Sequence, residues 1–203
     1  MRTAFFGGTF DPVHTGHLAL AREVLKQGRA DRILFVPAPS PPHKETARIS
    51  AFEHRLAMVR LAIEGEPGFA WSDLESRRPG KSYTIDSLAE LTADGSYGEV
   101  LLLIGADSLR QLHLWYRCHE LVRDHGLIVY PRRGEAVTAA ELREHWSEAE
   151  TERLLRSLMV SAPEYPLSST QIREKVKKEG IGSVSAFVTR PVADYITAHQ
   201  LYS

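Results

Sequence analysis

A single cysteine, Cys118, stands among 203 residues, so no internal disulfide can form and a reducing compartment suits the chain. No apolar run approaches the roughly 20 residues of a membrane span. The start holds Arg2 and a short apolar stretch, then Asp11, His14 and His17. A secretory leader needs a longer apolar core, so this start reads as a first strand, the expected location is cytoplasmic and no membrane partner is expected. Formal net charge is only −1, which argues against a broad basic surface and a nucleic-acid partner but leaves room for a local basic pocket. Internal repeats and low-complexity linkers are absent. Zinc-ligand spacing is absent too, because Cys118 is alone and the seven histidines beyond His14 and His17 are scattered, so no protein-held metal is expected. The first turn lacks Gly-x-Gly-x-x-Gly, which excludes an ordinary dinucleotide-dependent oxidoreductase.

What is present is an alternation of short apolar runs with helical segments. Strands are expected at Thr3–Phe6, Arg32–Val36, Ala70–Ser72, Val100–Ile104, Leu127–Tyr130 and Met159–Ser161. Helices are expected at Leu18–Lys26, at Phe52–Glu64 behind a Ser50–Glu53 capping box, at Ile85–Ala93, and at Ala139–Leu158 behind a Thr138–Glu141 capping box. The tail reads as helical pieces broken at Gly180-Ile181-Gly182 and Pro191. This pattern predicts an α/β fold: a Rossmann-like, doubly wound, mostly parallel sheet with helices on both faces. Residues 1–203 are taken as one domain with a C-terminal helical portion from about 167.

The densest chemistry lies at Phe6-Gly7-Gly8-Thr9-Phe10-Asp11-Pro12-Val13-His14-Thr15-Gly16-His17. A strand that turns through glycines into a helix start offers unpaired amides and the positive end of a helix dipole to an anion. His14 and His17 add donors whose charge changes near neutral pH. Gly16 would let a phosphate approach the backbone closely. The plain alternative is two structural histidines at a helix cap.

Four further clusters lie at expected strand ends or helix starts. Lys44 ends the stiff run Pro37-Ala38-Pro39-Ser40-Pro41-Pro42-His43-Lys44; it is either a placed charge or a solvated lysine. Ser168, Ser169 and Thr170, with Arg173 one turn on, would make a second phosphate cradle, or only a capped helix. Gly105 and Asp107 follow a buried strand, and Asp107 is a ribose or magnesium contact or a helix cap. Tyr83 and Thr84 open a helix, where free amides favour a carboxylate. Trp115, on its own, reads as core.

These residues together resemble the nicotinate-nucleotide adenylyltransferases, a branch of the His-x-Gly-His nucleotidyltransferase superfamily. The resemblance covers Gly-Gly-Thr-Phe-Asp-Pro-Val-His-Thr-Gly-His, Pro42-His43-Lys44, Ser82-Tyr83-Thr84-Ile85-Asp86, Gly105-Ala106-Asp107 with Trp115, and Leu167-Ser168-Ser169-Thr170-Gln171-Ile172-Arg173, in the family's order. Leu167 replaces an isoleucine, and the family's Arg-Pro element is altered to Pro131-Arg132-Arg133-Gly134, so which arginine would meet nucleotide stays open.

The resemblance implies adenylyl transfer from ATP to nicotinate mononucleotide in NAD biosynthesis, with Mg2+ accompanying ATP. His14, His17, Lys44 and Arg173 would be catalytic. Gly7, Gly8, Thr9, Phe10, Gly105, Asp107, Ser168, Ser169 and Thr170 would join them around ATP. Thr9, Lys44, Tyr83, Thr84 and Trp115 would hold the mononucleotide. Pantetheine-phosphate or cytidylyl transfer, and a non-catalytic nucleotide sensor, are the alternatives; oligomeric state is open.

Overall fold

The computed structural model describes residues 1–39, 49–131 and 136–203. Five strands, β1 (Arg2–Gly8), β2 (Arg32–Pro37), β3 (Phe69–Trp71), β4 (Glu99–Gly105) and β5 (Gly126–Tyr130), form one all-parallel sheet ordered β3-β2-β1-β4-β5. Strands buried on both faces must be apolar throughout, and alternate residues serve opposite layers. Ala4 and Phe6 of β1, Ile33 and Phe35 of β2, and Leu101 and Leu103 of β4 enter one apolar cluster. Phe5, Leu34, Val36, Leu102 and Ile104 enter the other.

Helices cover both layers. On the first lie α1 (Thr15–Lys26), α2 (Phe52–Ile63), α8 (Ser169–Glu179) and α9 (Arg190–Ala198). On the second lie α3 (Thr84–Asp94), α4 (Ala106–Gln111), α5 (Cys118–Asp124), α6 (Ala139–Arg143) and α7 (Glu148–Arg156). Ile172, Val176, Val192 and Ile196 are buried with Phe6 and Ile33, so the C-terminal helices close the same core as the first strand. Among the described residues no helix is long and apolar enough to cross a membrane.

Several local expectations give way. Met159–Ser161 is not a strand: one bridge joins Leu158 to Val129, the Met159 amide donates to the Val129 carbonyl at 2.8 Å, and Val160 is 98% exposed. With one residue facing water and no further apolar partners, the pairing does not propagate. The helix expected at 139–158 is two, because Ser147 and Glu150 form their own capping box and start α7 afresh. The Ser50–Glu53 box does not form; α2 is capped by Ala51, and the Ser50 amide turns to Asp11 Oδ2 at 3.2 Å. Pro191 lies in the first turn of α9, where its fixed φ and missing N–H suit a helix start. The chain does not turn at Gly7-Gly8, which finish β1; Gly8 aligns with Pro37, and Phe10 takes the left-handed backbone at φ 49°.

Strand order reverses at β1, so the crevice beyond the carboxyl ends of β1 and β4 is the place such sheets offer a ligand. Arg55 of α2 fixes one side of that crevice. It is 1% exposed and donates to the carbonyls of Thr9 (2.8 Å), Ala38 (2.7 Å), Pro39 (3.1 Å) and Ser50 (3.0 Å). One guanidinium thus staples the loop after β1 to the loop after β2. Arg55→Leu would leave four carbonyls without that donor, and about 3 kcal/mol or more of stability should go. Arg55→Lys, a point charge with fewer directed donors, should recover only part. Thermal melts of the three proteins check this; equal melting temperatures would contradict it.

Candidate active site

His14 is the extended N-cap of α1, and its backbone N–H donates to Nδ1 of His17 at 3.2 Å. That bond makes His17 Nδ1 an acceptor and assigns the ring proton of neutral His17 to Nε2. The two imidazoles stack with centroids 3.7 Å apart. His14 is 9% exposed, its Nδ1 has no hydrogen-bond partner, and burial pushes its pKa down to about 4. A neutral His14 is the result at neutral pH. His17 is half-buried, with the Phe10 ring edge-on at 5.1 Å. Phe10 itself lies in the core, so only its main chain can face a ligand. At Gly8 a Cβ would sit 3.0 Å from the Phe10 ring, so a side chain there would press on that packing.

Two of the amides that open α1 are already engaged, unlike the unpaired donors expected of a bare helix start. Thr15 N–H donates to the Phe187 carbonyl at 2.9 Å, and His17 N–H to the His14 carbonyl at 2.9 Å. The Phe187 carbonyl, in the segment before α9, takes the Thr15 donor, and the Tyr165 ring, in the segment before α8, lies over Gly16.

Asp11, 1% exposed, joins the distant parts of the chain. Its Oδ1 accepts from the Tyr202 hydroxyl at 2.6 Å and its Oδ2 from the Ser50 amide at 3.2 Å. Arg173 Nη1 donates to the Asp11 carbonyl at 2.7 Å and lies 3.8 Å from Oδ2. Burial and the neighbouring Asp11 charge hold the Tyr202 phenol well above its ordinary pKa. Ser168 caps α8 in a capping box with Gln171, Ser169 Oγ donates to the Pro12 carbonyl at 3.0 Å, and Thr170 Oγ1 accepts from Arg173 at 3.4 Å. The start of α8 is thereby brought against the β1–α1 turn, although some 150 residues separate them in sequence.

Across the crevice, Gly105 caps α4 and Asp107 lies in its first turn. A Cβ on Gly105 would meet Asp107 Oδ1 at 2.5 Å, which shows how closely the carboxylate folds back over β4's end. Tyr83 caps α3 and Thr84 is its first residue. Behind them, buried Glu75 accepts from Ser87 Oγ at 2.8 Å, and burial raises its pKa. The ring against Tyr83 is Tyr116, 4.4 Å away; Trp115 is half-buried against the cluster that holds Ile85 and Leu88. Lys44, Arg132 and Arg133 lie outside the described residues.

Sequence reasoning missed Arg55, Tyr165, Tyr202 and Tyr116. Arg55 sits on the buried side of a helix with no motif around it. Tyr165 and Tyr202 act over long range, so no local spacing marks them.

The cytidylyltransferase-like family matches residues 5–175. A protein of Synechococcus sp. (strain JA-3-3Ab) named probable nicotinate-nucleotide adenylyltransferase is 41% identical over 99% of this chain and 94% of its own. One of Symbiobacterium thermophilum with the same name is 38% identical over 99% and 95%. The chain belongs to the nicotinate-nucleotide adenylyltransferase family. The nicotinic acid mononucleotide adenylyltransferase of Plasmodium falciparum, solved with NaAD, superposes with a TM-score of 0.78 over 99% of this chain and 97% of its own. At 19% identity that likeness concerns the fold. Within this family fold, the turn after β1 and the start of α8 meet at one face of the crevice.

The low pKa of His14 has a stability consequence. The folded protein resists protonating His14, whereas the unfolded chain accepts a proton near pH 6.5. The stabilisation is present above that value and is lost as pH falls from 6.5 toward about 4, amounting to about 3 kcal/mol. NMR titration should find the His14 ring neutral at pH 5.5; a midpoint near 6.5 would contradict the burial argument.

Proposed function

We propose that this chain transfers the adenylyl group of ATP to nicotinate mononucleotide, giving nicotinate adenine dinucleotide and pyrophosphate. The observation that carries the reading is the meeting of the stacked His14–His17 pair with Arg173 and the hydroxyl-rich start of α8. Two groups of polar side chains side by side suit a triphosphate whose α end and β,γ end are held apart.

A phosphate oxygen of the mononucleotide attacks the α-phosphorus in line. A new P–O bond forms as the bond to the α,β-bridging oxygen breaks, and pyrophosphate carries away the electron pair. No protein nucleophile is needed, so the protein contributes position and charge. His17 donates through Nε2 to the α-phosphate, and neutral His14 holds His17 in register. Arg173 and Lys44 supply positive charge, with Ser168 and Thr170 toward the β,γ end. The main chain of Gly7, Gly8, Thr9 and Phe10 lines the α-phosphate side, and Gly105 and Asp107 the ribose side. Mg2+ enters with ATP as part of that substrate.

Thr9, Tyr83 and Thr84 bind the mononucleotide, with Trp115 in the apolar wall behind its ring. The amides that open α3 donate to a carboxylate, whereas a carboxamide would set its NH2 against donors. Such a mismatch costs roughly 1–3 kcal/mol, about one to two decades in specificity. Residues 1–203 act as one unit, in the cytoplasm.

Pyrophosphate release with each mononucleotide tests this. His17→Ala should fold normally and lose about 100-fold or more in kcat, the usual scale for one transition-state donor. A folded His17→Ala protein with wild-type kcat would overturn the assignment. Wild type should prefer the acid mononucleotide, and Thr84→Val should shrink that preference more than Trp115→Ala does. Equal use of acid and amide by wild type would refute the carboxylate pocket.

A further inference from the structure

We propose that Tyr165 is a positioning residue for the two active-site histidines, and that residue 16 is glycine to admit the Tyr165 ring. The inference deepens the transferase reading and rests on it. Tyr165 lies flat on His14, with centroids 4.8 Å apart and planes 2° from parallel. His14 in turn stacks on His17 at 3.7 Å. Three rings form one column, with a tyrosine from the segment before α8 at its outer end. The ring is anchored at its far edge: the hydroxyl donates to the Phe187 carbonyl at 2.9 Å and is bonded to Thr15 Oγ1. Thr15 uses its amide on that same carbonyl, at 2.9 Å, and its hydroxyl proton on the phenol oxygen. The phenol therefore cannot swing off His14 without breaking the ties that close the start of α1.

Gly16 completes the picture. A Cβ there would stand 2.5 Å from Tyr165 Cδ1 and closer still to Cγ, at the rigid root of the side chain. No rotation of χ2 relieves that overlap. An alanine at 16 would have to push the ring off His14, and the histidine pair would lose its outer wall. The need for glycine comes from this packing, and the close approach of a phosphate is not required to explain it.

The test combines kinetics with NMR of the imidazole protons. Tyr165→Leu should lower kcat by about tenfold or more, as small misplacements of positioned groups do, while KM for ATP stays within about threefold. Loss of the ring current should shift the His14 signals most and the His17 signals with them. Tyr165→Phe, which keeps the ring, should retain the stacked shifts and most of kcat. Gly16→Ala should lose kcat, and Gly16→Ala combined with Tyr165→Ala should regain part of it because the obstructing ring is gone. The proposal is overturned if Tyr165→Leu leaves kcat and both histidine spectra as in wild type. It is also overturned if removing the ring gives no relief to Gly16→Ala, which would return Gly16 to the substrate phosphate. Should Tyr165→Leu fail to fold, the Gly16 pair of variants still decides. Should wild type release no pyrophosphate with either mononucleotide, the transferase reading fails, and the histidine spectra alone judge the positioning role.

Discussion

The buried carboxylate of Asp11 is the constraint on which the site depends. An ionised carboxylate out of water must be fully bonded, and here its partners come from three remote parts of the chain. Ser50 approaches from the start of α2, Arg173 from α8 and Tyr202 from the C-terminal end. Satisfying one residue of the β1–α1 turn therefore fixes the places of residues 50, 173 and 202. Arg55 does the complementary work with carbonyls, joining Thr9 to Ala38 and Pro39. A buried acceptor and a buried donor, both beside the turn, give the crevice at the carboxyl ends of the strands a defined shape.

Burial also divides the electrostatic labour. Desolvation keeps His14 neutral, and the His14 amide sets the tautomer of His17. Among the described residues near the turn, fixed positive charge comes from Arg55 and Arg173. Arg55 is turned inward on carbonyls, and Arg173 reaches from α8 to the Asp11 carbonyl and carboxylate. A site arranged in this way needs no group that changes covalent partner. It suits a reaction in which the substrates supply both nucleophile and leaving group.

The sheet was legible in the sequence because strands buried on both faces must be apolar throughout, and all five observed strands fall on short apolar runs. The sixth expected strand failed where Val160 faces water. Capping boxes were legible at Thr138 and Ser168, where the hydroxyl had only its own helix to serve; at Ser50 the amide had a better partner in buried Asp11. The His-Thr-Gly-His turn was legible as a place, but its chemistry was misjudged in one respect. Sequence suggests open amides at α1, and tertiary packing brings the Phe187 carbonyl onto one of them, the Thr15 N–H. Long-range partners such as Tyr165, Tyr202 and Arg55 leave no periodic trace, so spacing could not reveal them.

The central claim is that the α1 start and the α8 start hold one nucleotide between them. A crystal structure with an ATP analogue whose α,β-bridging oxygen is replaced by a methylene tests it most directly. The account predicts the α-phosphate beside His17 and the β,γ-phosphates against Ser168, Thr170 and Arg173, with Asp11 and Arg55 unmoved. An analogue bound elsewhere, or phosphates that touch only one of the two helix starts, would contradict it.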